Sequence, residues 1–165
     1  MHPLLYELNT RCWLRELTAR HGRAVHLGDV PEEEFAAWKR LGLTHLWLMG
    51  TWTTCARARE SVLNDPAFID GFNKALPDWT PDDVTGSPYA VADYRVPDAL
   101  GGEEGLRRFR ERLHAHGLKL ILDHCGLNRH GQDAEAFIHL DEMTALAKLP
   151  NVAVKMTGAP HYSTQ

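Results

Sequence analysis

The sequence predicts an α/β fold: a partial (β/α) barrel of about four parallel strands with intervening helices. Two observations carry this reading. Short apolar runs alternate with stretches of helical spacing in the order strand, helix, strand, long loop, helix, strand, helix, strand, and such alternation implies right-handed crossovers and a parallel sheet. The chain also has 165 residues and no internal linker, repeat or low-complexity tract, which suits one domain burying roughly 70% of its unfolded surface.

The first strand is placed at Leu4 to Trp13, with Tyr6, Leu8 and Thr10 on one face and Glu7, Asn9 and Arg11 on the other. A polar second face suits a barrel interior near its mouth. Asp29 and Glu32 have the spacing of a capping box and Pro31 falls in the first turn, so a helix is expected that carries Phe35, Trp38 and Leu41 before Gly42 stops it. Leu43 to Gly50 then reads as a buried strand.

From Thr51 to Pro97 the chain makes an irregular excursion punctuated by Pro66, Gly71, Pro77, Pro81, Gly86 and Pro88. Loops this long inside a compact domain are usually functional or disordered. Short helices are expected near Arg57 to Leu63 and Pro66 to Leu76. Gly101-Gly102 opens the next helix, whose apolar stripe is Leu106, Phe109 and Leu113; Arg107, Arg108, Arg110, Glu111 and Arg112 are assigned to water, and Gly117 is the stop. Leu118 to Leu122 is a near-continuous apolar strand. Asp133 caps a further expected helix carrying Phe137, Leu140, Met143 and Leu146, and Asn151 to Thr157 follows as a strand.

Bulk properties exclude several functions. The net charge of -4 is spread without an acidic or basic block, so nothing attracts nucleic acid. Cys12, Cys55 and Cys125 show no CxxC spacing, which indicates neither a disulfide framework nor a structural zinc site. No secretory pattern opens the sequence and no apolar run reaches membrane-spanning length. A cytoplasmic protein is expected, without membrane or nucleic-acid partners.

Three segments occur in a distinctive order: Tyr6-Glu7-Leu8-Asn9-Thr10-Arg11, then Leu41-Gly42-Leu43-Thr44-His45-Leu46-Trp47-Leu48-Met49, then Gly86-Ser87-Pro88-Tyr89-Ala90-Val91-Ala92-Asp93-Tyr94. Together they resemble the start of an α-amylase family (family 13) glycoside hydrolase over about residues 4–123. The resemblance implies that Tyr89 stacks on a sugar ring, a contact that supplies apolar area without charge, and that Asp123 closes the third barrel strand as an organiser of the site. It implies a small carbohydrate of the α-glucoside class as ligand. In this family an Asn-His pair follows the third-strand aspartate after three residues, whereas Asp123 is followed by His124-Cys125-Gly126-Leu127-Asn128. Retaining glycosidases need two carboxyl groups about 5 Å apart. The family supplies them from later strands, so the catalytic residues are unknown here and activity of the chain alone is not expected.

From Ile121-Leu122-Asp123-His124-Cys125-Gly126 through Asn151-Val152-Ala153-Val154-Lys155-Met156-Thr157-Gly158 the chain is similar to a mid-barrel piece of an amidohydrolase, of the branch containing lactone hydrolases and related decarboxylases. This resemblance covers about residues 118–165 and implies that His124 sits in an active site, binding substrate or metal. The one domain is thus read as a glycoside-hydrolase-like part, 1–123, joined to an amidohydrolase-like part, 124–165. The pattern is that of a chimera, whether by gene fusion, deliberate recombination or an error of sequence assembly.

No cofactor is expected. Zinc would be held through His124 only if another chain completed an amidohydrolase site. His114-Ala115-His116 has His-x-His spacing, yet on a helix the two side chains diverge by about 200°, and His130, His139 and His161 read as surface residues. The alternatives to a glycoside-hydrolase-derived barrel are a metal-dependent amidohydrolase or lactonase and a non-catalytic half-barrel scaffold. A half-barrel leaves two parallel edges uncovered, so self-association through them is expected.

Overall fold

A computed structural model describes residues 2–122, residue 148 and residues 152–154. Strands β1 (Leu5–Asn9), β2 (His45–Met49), β5 (Lys119–Leu122) and β6 (Val152–Val154) form a sheet in that spatial order, and every neighbouring pair is parallel. The alternation in the sequence therefore gives the α/β fold with a parallel sheet. The helices are α1 (Thr10–His21), α2 (Glu32–Arg40), α3 (Ala56–Leu63), α4 (Pro66–Ala75) and α5 (Gly102–Ala115). A second sheet is a short antiparallel pair, β3 (Thr53–Thr54) with β4 (Val91–Asp93).

The first strand is shorter than expected. It ends at Asn9, and Thr10 to Trp13 belong to α1, which the sequence reading had absorbed into the strand. Asn9 decides the boundary: its extended backbone and side-chain oxygen cap the helix by accepting from the Cys12 N–H at 3.2 Å. Trp13, Leu14 and Leu17 then fall on one buried face, and Gly22 closes α1 at φ 64°. Replacing Asn9 with alanine leaves that N–H without its cap, and the expected cost is about 1 kcal/mol. A urea titration followed by circular dichroism measures it; a midpoint equal to the parent's would mean that the cap contributes nothing.

Two further expectations are corrected around α2. Its N-cap is Pro31 with no side-chain cap, because Asp29 ends a separate 3-10 turn, Leu27–Asp29, and faces His26 and Arg108 instead. Leu41 is 70% exposed, one residue past the helix, so the buried stripe is Phe35 and Trp38 alone. A capping box does form elsewhere, between Thr80 and Asp83.

The core lies between the sheet and its helices. Leu8, Leu46, Leu48 and Leu120 face Leu14, Leu17, Phe35, Trp38, Phe109 and Leu113, all buried. At its centre four rings from three helices meet: Phe109 lies 5.9 Å from Trp13, 5.4 Å from Phe35 and 6.3 Å from Trp38. Helix α5 approaches the 3-10 turn through Gly105, whose missing side chain lets it rest on Gly28. The opposite face of the sheet carries Glu7, Asn9, His45, Trp47, Met49, Lys119 and Ile121 in register across three strands. Glu7 and Asn9 thus occupy the second face of β1 as the alternation requires. Tyr6, on the helix side, is nonetheless 46% exposed, since β1 is an edge strand of the described sheet.

Candidate functional site

In a parallel α/β sheet the chemistry gathers at the carboxyl ends of the strands, where loops of several units converge. Here those ends are Asn9 and Met49 with the segments that follow them. Thr10 and Thr51 are fully buried between β1 and β2. The Thr10 hydroxyl donates to the Met49 carbonyl at 2.8 Å and the Thr51 hydroxyl to that of Leu48 at 3.1 Å, while the two oxygens lie 3.5 Å apart. These bonds tie the two hydroxyls to the last carbonyls of β2.

Arg11 lies beside them, with Nη2 donating to the Trp52 carbonyl at 3.3 Å. Its Nε is buried and meets no acceptor among the described residues, and burial lowers the guanidinium below its ordinary value. The sequence reading placed Arg11 on a strand face. The signal for its true position was Asn9, the cap that turns the chain into α1.

The excursion between β2 and α5 folds back over the same end. Thr53 donates its N–H to the Arg95 carbonyl at 3.0 Å, Cys55 to that of Ala90 at 2.7 Å, and the Thr54 hydroxyl to that of Thr85 at 2.9 Å. Residues 85–95 therefore run along residues 53–55, and Trp52 meets Tyr94 edge-on at 5.6 Å. Gly50, at φ 77°, lies under Pro88; a Cβ there would stand 3.1 Å from the proline Cβ. That close approach brings Pro88, the residue before Tyr89, beside the carboxyl end of β2.

Tyr89 is 47% exposed, and its N–H donates to the Ser87 hydroxyl at 3.2 Å within a tight turn. Farther out, Arg59 on α3 donates to the Val84 and Pro81 carbonyls. Arg15 of α1 pairs with Asp83 at 2.6 Å. The Thr80 N–H first, and then Arg15, hold the Asp83 carboxyl below its ordinary range. Asp93 pairs with Arg95 at 3.1 Å.

Of the residues the sequence singled out, the structure thus places Tyr89 at the strand ends, whereas Asp123 and His124 lie outside the described residues. So do Cys125, His130, His139, His161, the Asp133 helix and most of the amidohydrolase-like segment. Cys12 is exposed and Cys55 half-buried, both as free thiols. His114 is exposed while His116 is partly buried against α2, so the two do not converge. Among the described residues no group of three metal-ligating side chains gathers, and no helix is long and apolar enough to cross a membrane. His45, lowered by burial and then by Lys119, belongs to the opposite, amino-terminal end of its strand.

No protein-family model matches the chain, and no curated protein does. Solved structures do. An α-amylase from Lactobacillus plantarum superposes with a TM-score of 0.51 at 16% identity, over 97% of this chain and 30% of that one. The fold is similar to an α-amylase's. A noncanonic maltogenic α-amylase from Thermotoga neapolitana matches with a TM-score of 0.47 at 16% identity, over 94% of this chain and 28% of its own. A maltooligosyl trehalose synthase matches with a TM-score of 0.41 at 25% identity, over 74% and 12%. The chain spans less than a third of the length of each of these three structures.

Proposed function

We propose that the chain is a half-barrel of the α-amylase type that binds a small α-linked glucoside at the carboxyl ends of β1 and β2 without hydrolysing it. The observation that carries the reading is the close approach of Pro88 to Gly50, which brings the next residue, the half-exposed Tyr89, near the strand ends. That arrangement agrees with the sugar-stacking role that the sequence resemblance implies for Tyr89. The fold similarity to an α-amylase supports the same reading. The two carboxyl groups that glycoside cleavage requires have no counterpart in the region the resemblance matches, so binding without turnover is the expected behaviour.

The reading extends to self-association. β1 is one edge of the described sheet, and Leu5 and Tyr6 on it are half-exposed. A second copy of the chain offers the backbone donors and apolar area that such an edge takes up.

Titration with maltotriose, followed by chemical-shift changes or calorimetry, tests the binding. Tyr89→Ala is expected to weaken it about tenfold, since one aromatic contact is worth roughly 1 kcal/mol or slightly more. Hydrolysis of an aryl α-glucoside is expected at the buffer rate. Unchanged affinity in the Tyr89 variant removes the proposed contact, and measurable turnover overturns the non-hydrolytic part.

A further inference from the structure

We propose that Arg59 is a positioning residue for Tyr89: from the first turn of α3 it holds the segment that leads into the Tyr89 turn. The inference rests on the reading of Tyr89 as a sugar contact and says what keeps that contact in place.

The argument is one of donors and close approach. The Arg59 guanidinium donates through Nε to the Val84 carbonyl and through Nη2 to the Pro81 carbonyl, each at 2.5 Å. A planar guanidinium presents its donors as a rigid fork, so the two bonds set both the distance and the direction of the backbone they hold. Bonds from a charged donor are also stronger than neutral ones. The stem of the same side chain lies against Gly86. At φ 81° this residue has no side chain to keep the backbones apart, and an added Cβ would stand 3.2 Å from the Arg59 Cβ and 3.6 Å from its Cα. Pro81, Val84 and Gly86 thus all meet Arg59.

The far side of the turn is tied to the same short stretch. Cys55, the N-cap residue of α3, donates its N–H to the Ala90 carbonyl at 2.7 Å, and the Arg59 N–H donates to the Cys55 carbonyl at 3.1 Å. The Thr54 hydroxyl donates to the Thr85 carbonyl at 2.9 Å. Within the turn the Ala90 N–H donates to the Ser87 carbonyl at 3.0 Å and the Tyr89 N–H to the Ser87 hydroxyl at 3.2 Å. Tyr89 therefore lies between two moorings, Gly86 before it and Ala90 directly after it, and both lead back to residues 54–59. Arg59 joins them, because its backbone belongs to the first turn of α3 while its guanidinium reaches the incoming segment. The charged tie from Arg15 to Asp83 at 2.6 Å comes from a side chain 75% exposed, and solvent screening leaves such a pair little to contribute.

Arg59→Met keeps the apolar stem and removes the side-chain donors. Maltotriose titration of the parent, Arg59→Met, Tyr89→Ala and the double variant, each as the whole chain, tests the coupling. Arg59→Met is expected to weaken binding about three- to tenfold. The double variant is expected to bind within about twofold of Tyr89→Ala alone, because a contact already removed cannot be misplaced. Losses that multiply show that Arg59 acts apart from Tyr89 and overturn the proposal. Amide hydrogen exchange without ligand reads the moorings whatever the sugar does. Arg59→Met is expected to speed exchange at Cys55 and Ala90 about tenfold while Leu46 and Leu48 in β2 keep their parental rates. Unchanged exchange at Cys55 and Ala90 overturns the proposal even where maltotriose binds, and rates raised equally at Leu46 and Leu48 overturn it by showing a general loosening. Selective quickening in a chain that fails to bind maltotriose supports the role of Arg59 and removes the sugar reading instead.

Discussion

Phe109→Ala is expected to be the most damaging single substitution, costing about 3–5 kcal/mol. Its ring is fully buried and touches Trp13, Phe35 and Trp38, so three aromatic partners on two other helices lose their common neighbour at once. Such rigid rings do not collapse readily into the space left behind, which puts the cost in the upper part of the usual range for large-to-small changes. Because a domain is commonly stable by only 5–15 kcal/mol, the variant stands near the edge of folding. Urea unfolding of parent, Phe109→Leu and Phe109→Ala separates shape from volume. The leucine variant is expected to lose less than about 1.5 kcal/mol. A loss below about 1 kcal/mol for alanine would show that the four-ring cluster is not the centre of the core.

The second large effect is expected at Gly101, where Gly101→Val costs about 2–4 kcal/mol by combining backbone strain with overpacking. This residue closes the 3-10 turn Asp98–Leu100 and opens α5 at φ 104°, a conformation that a β-branched residue resists. A Cβ added there stands 3.0 Å from the His26 Cβ and 3.5 Å from the Leu27 backbone nitrogen, so relief requires the 3-10 turn to move. Gly102 is the internal control. It also has positive φ, 63°, but its added Cβ meets only the end of the Asp98 side chain at 3.4 Å. Gly102→Ala is therefore expected to cost about 1–2 kcal/mol. Equal losses in the two variants by chemical unfolding would leave the His26 contact without consequence.

How much of this was legible in the chain depends on the range of the forces involved. β2, β5, α3, α4 and α5 follow from nearest-neighbour patterns: apolar runs for the strands, and Phe109 and Leu113 one turn apart with Gly117 as the stop for α5. The same rule misled at Leu4 to Trp13, where alternating polar and apolar residues mimic a long strand. The stronger signal was Asn9 as a cap ahead of Trp13, Leu14 and Leu17. The pairing of β3 with β4 had no local trace, since two residues carry no period and their partners arrive after two helices. The charged neighbours of Arg112 in sequence point it toward water. Its carbonyl and carboxylate partners, Val30 and Glu32, are remote in sequence.

The candidate site divides along the same line. Tyr89 stands out from an ordered set of motifs. What brings its neighbour Pro88 against Gly50 is an approach between segments that no periodicity connects. The buried Thr10 and Thr51 and the half-buried Arg11 became visible only once β1 was cut at Asn9.

Helices α3 and α4 contribute no buried residue, and this has a consequence for how the sequence is free to change. The hydrophobic interior is complete without them, so the connection from β2 to α5 is constrained at its anchored ends and hardly in between. Chain-closure entropy grows only logarithmically, by about 0.6 kcal/mol for each doubling of a flexible connection. Lengthening, shortening or exchange of α3 and α4 therefore bears scarcely on whether the rest assembles. Sequence variation has a place to accumulate there while the scaffold stays intact.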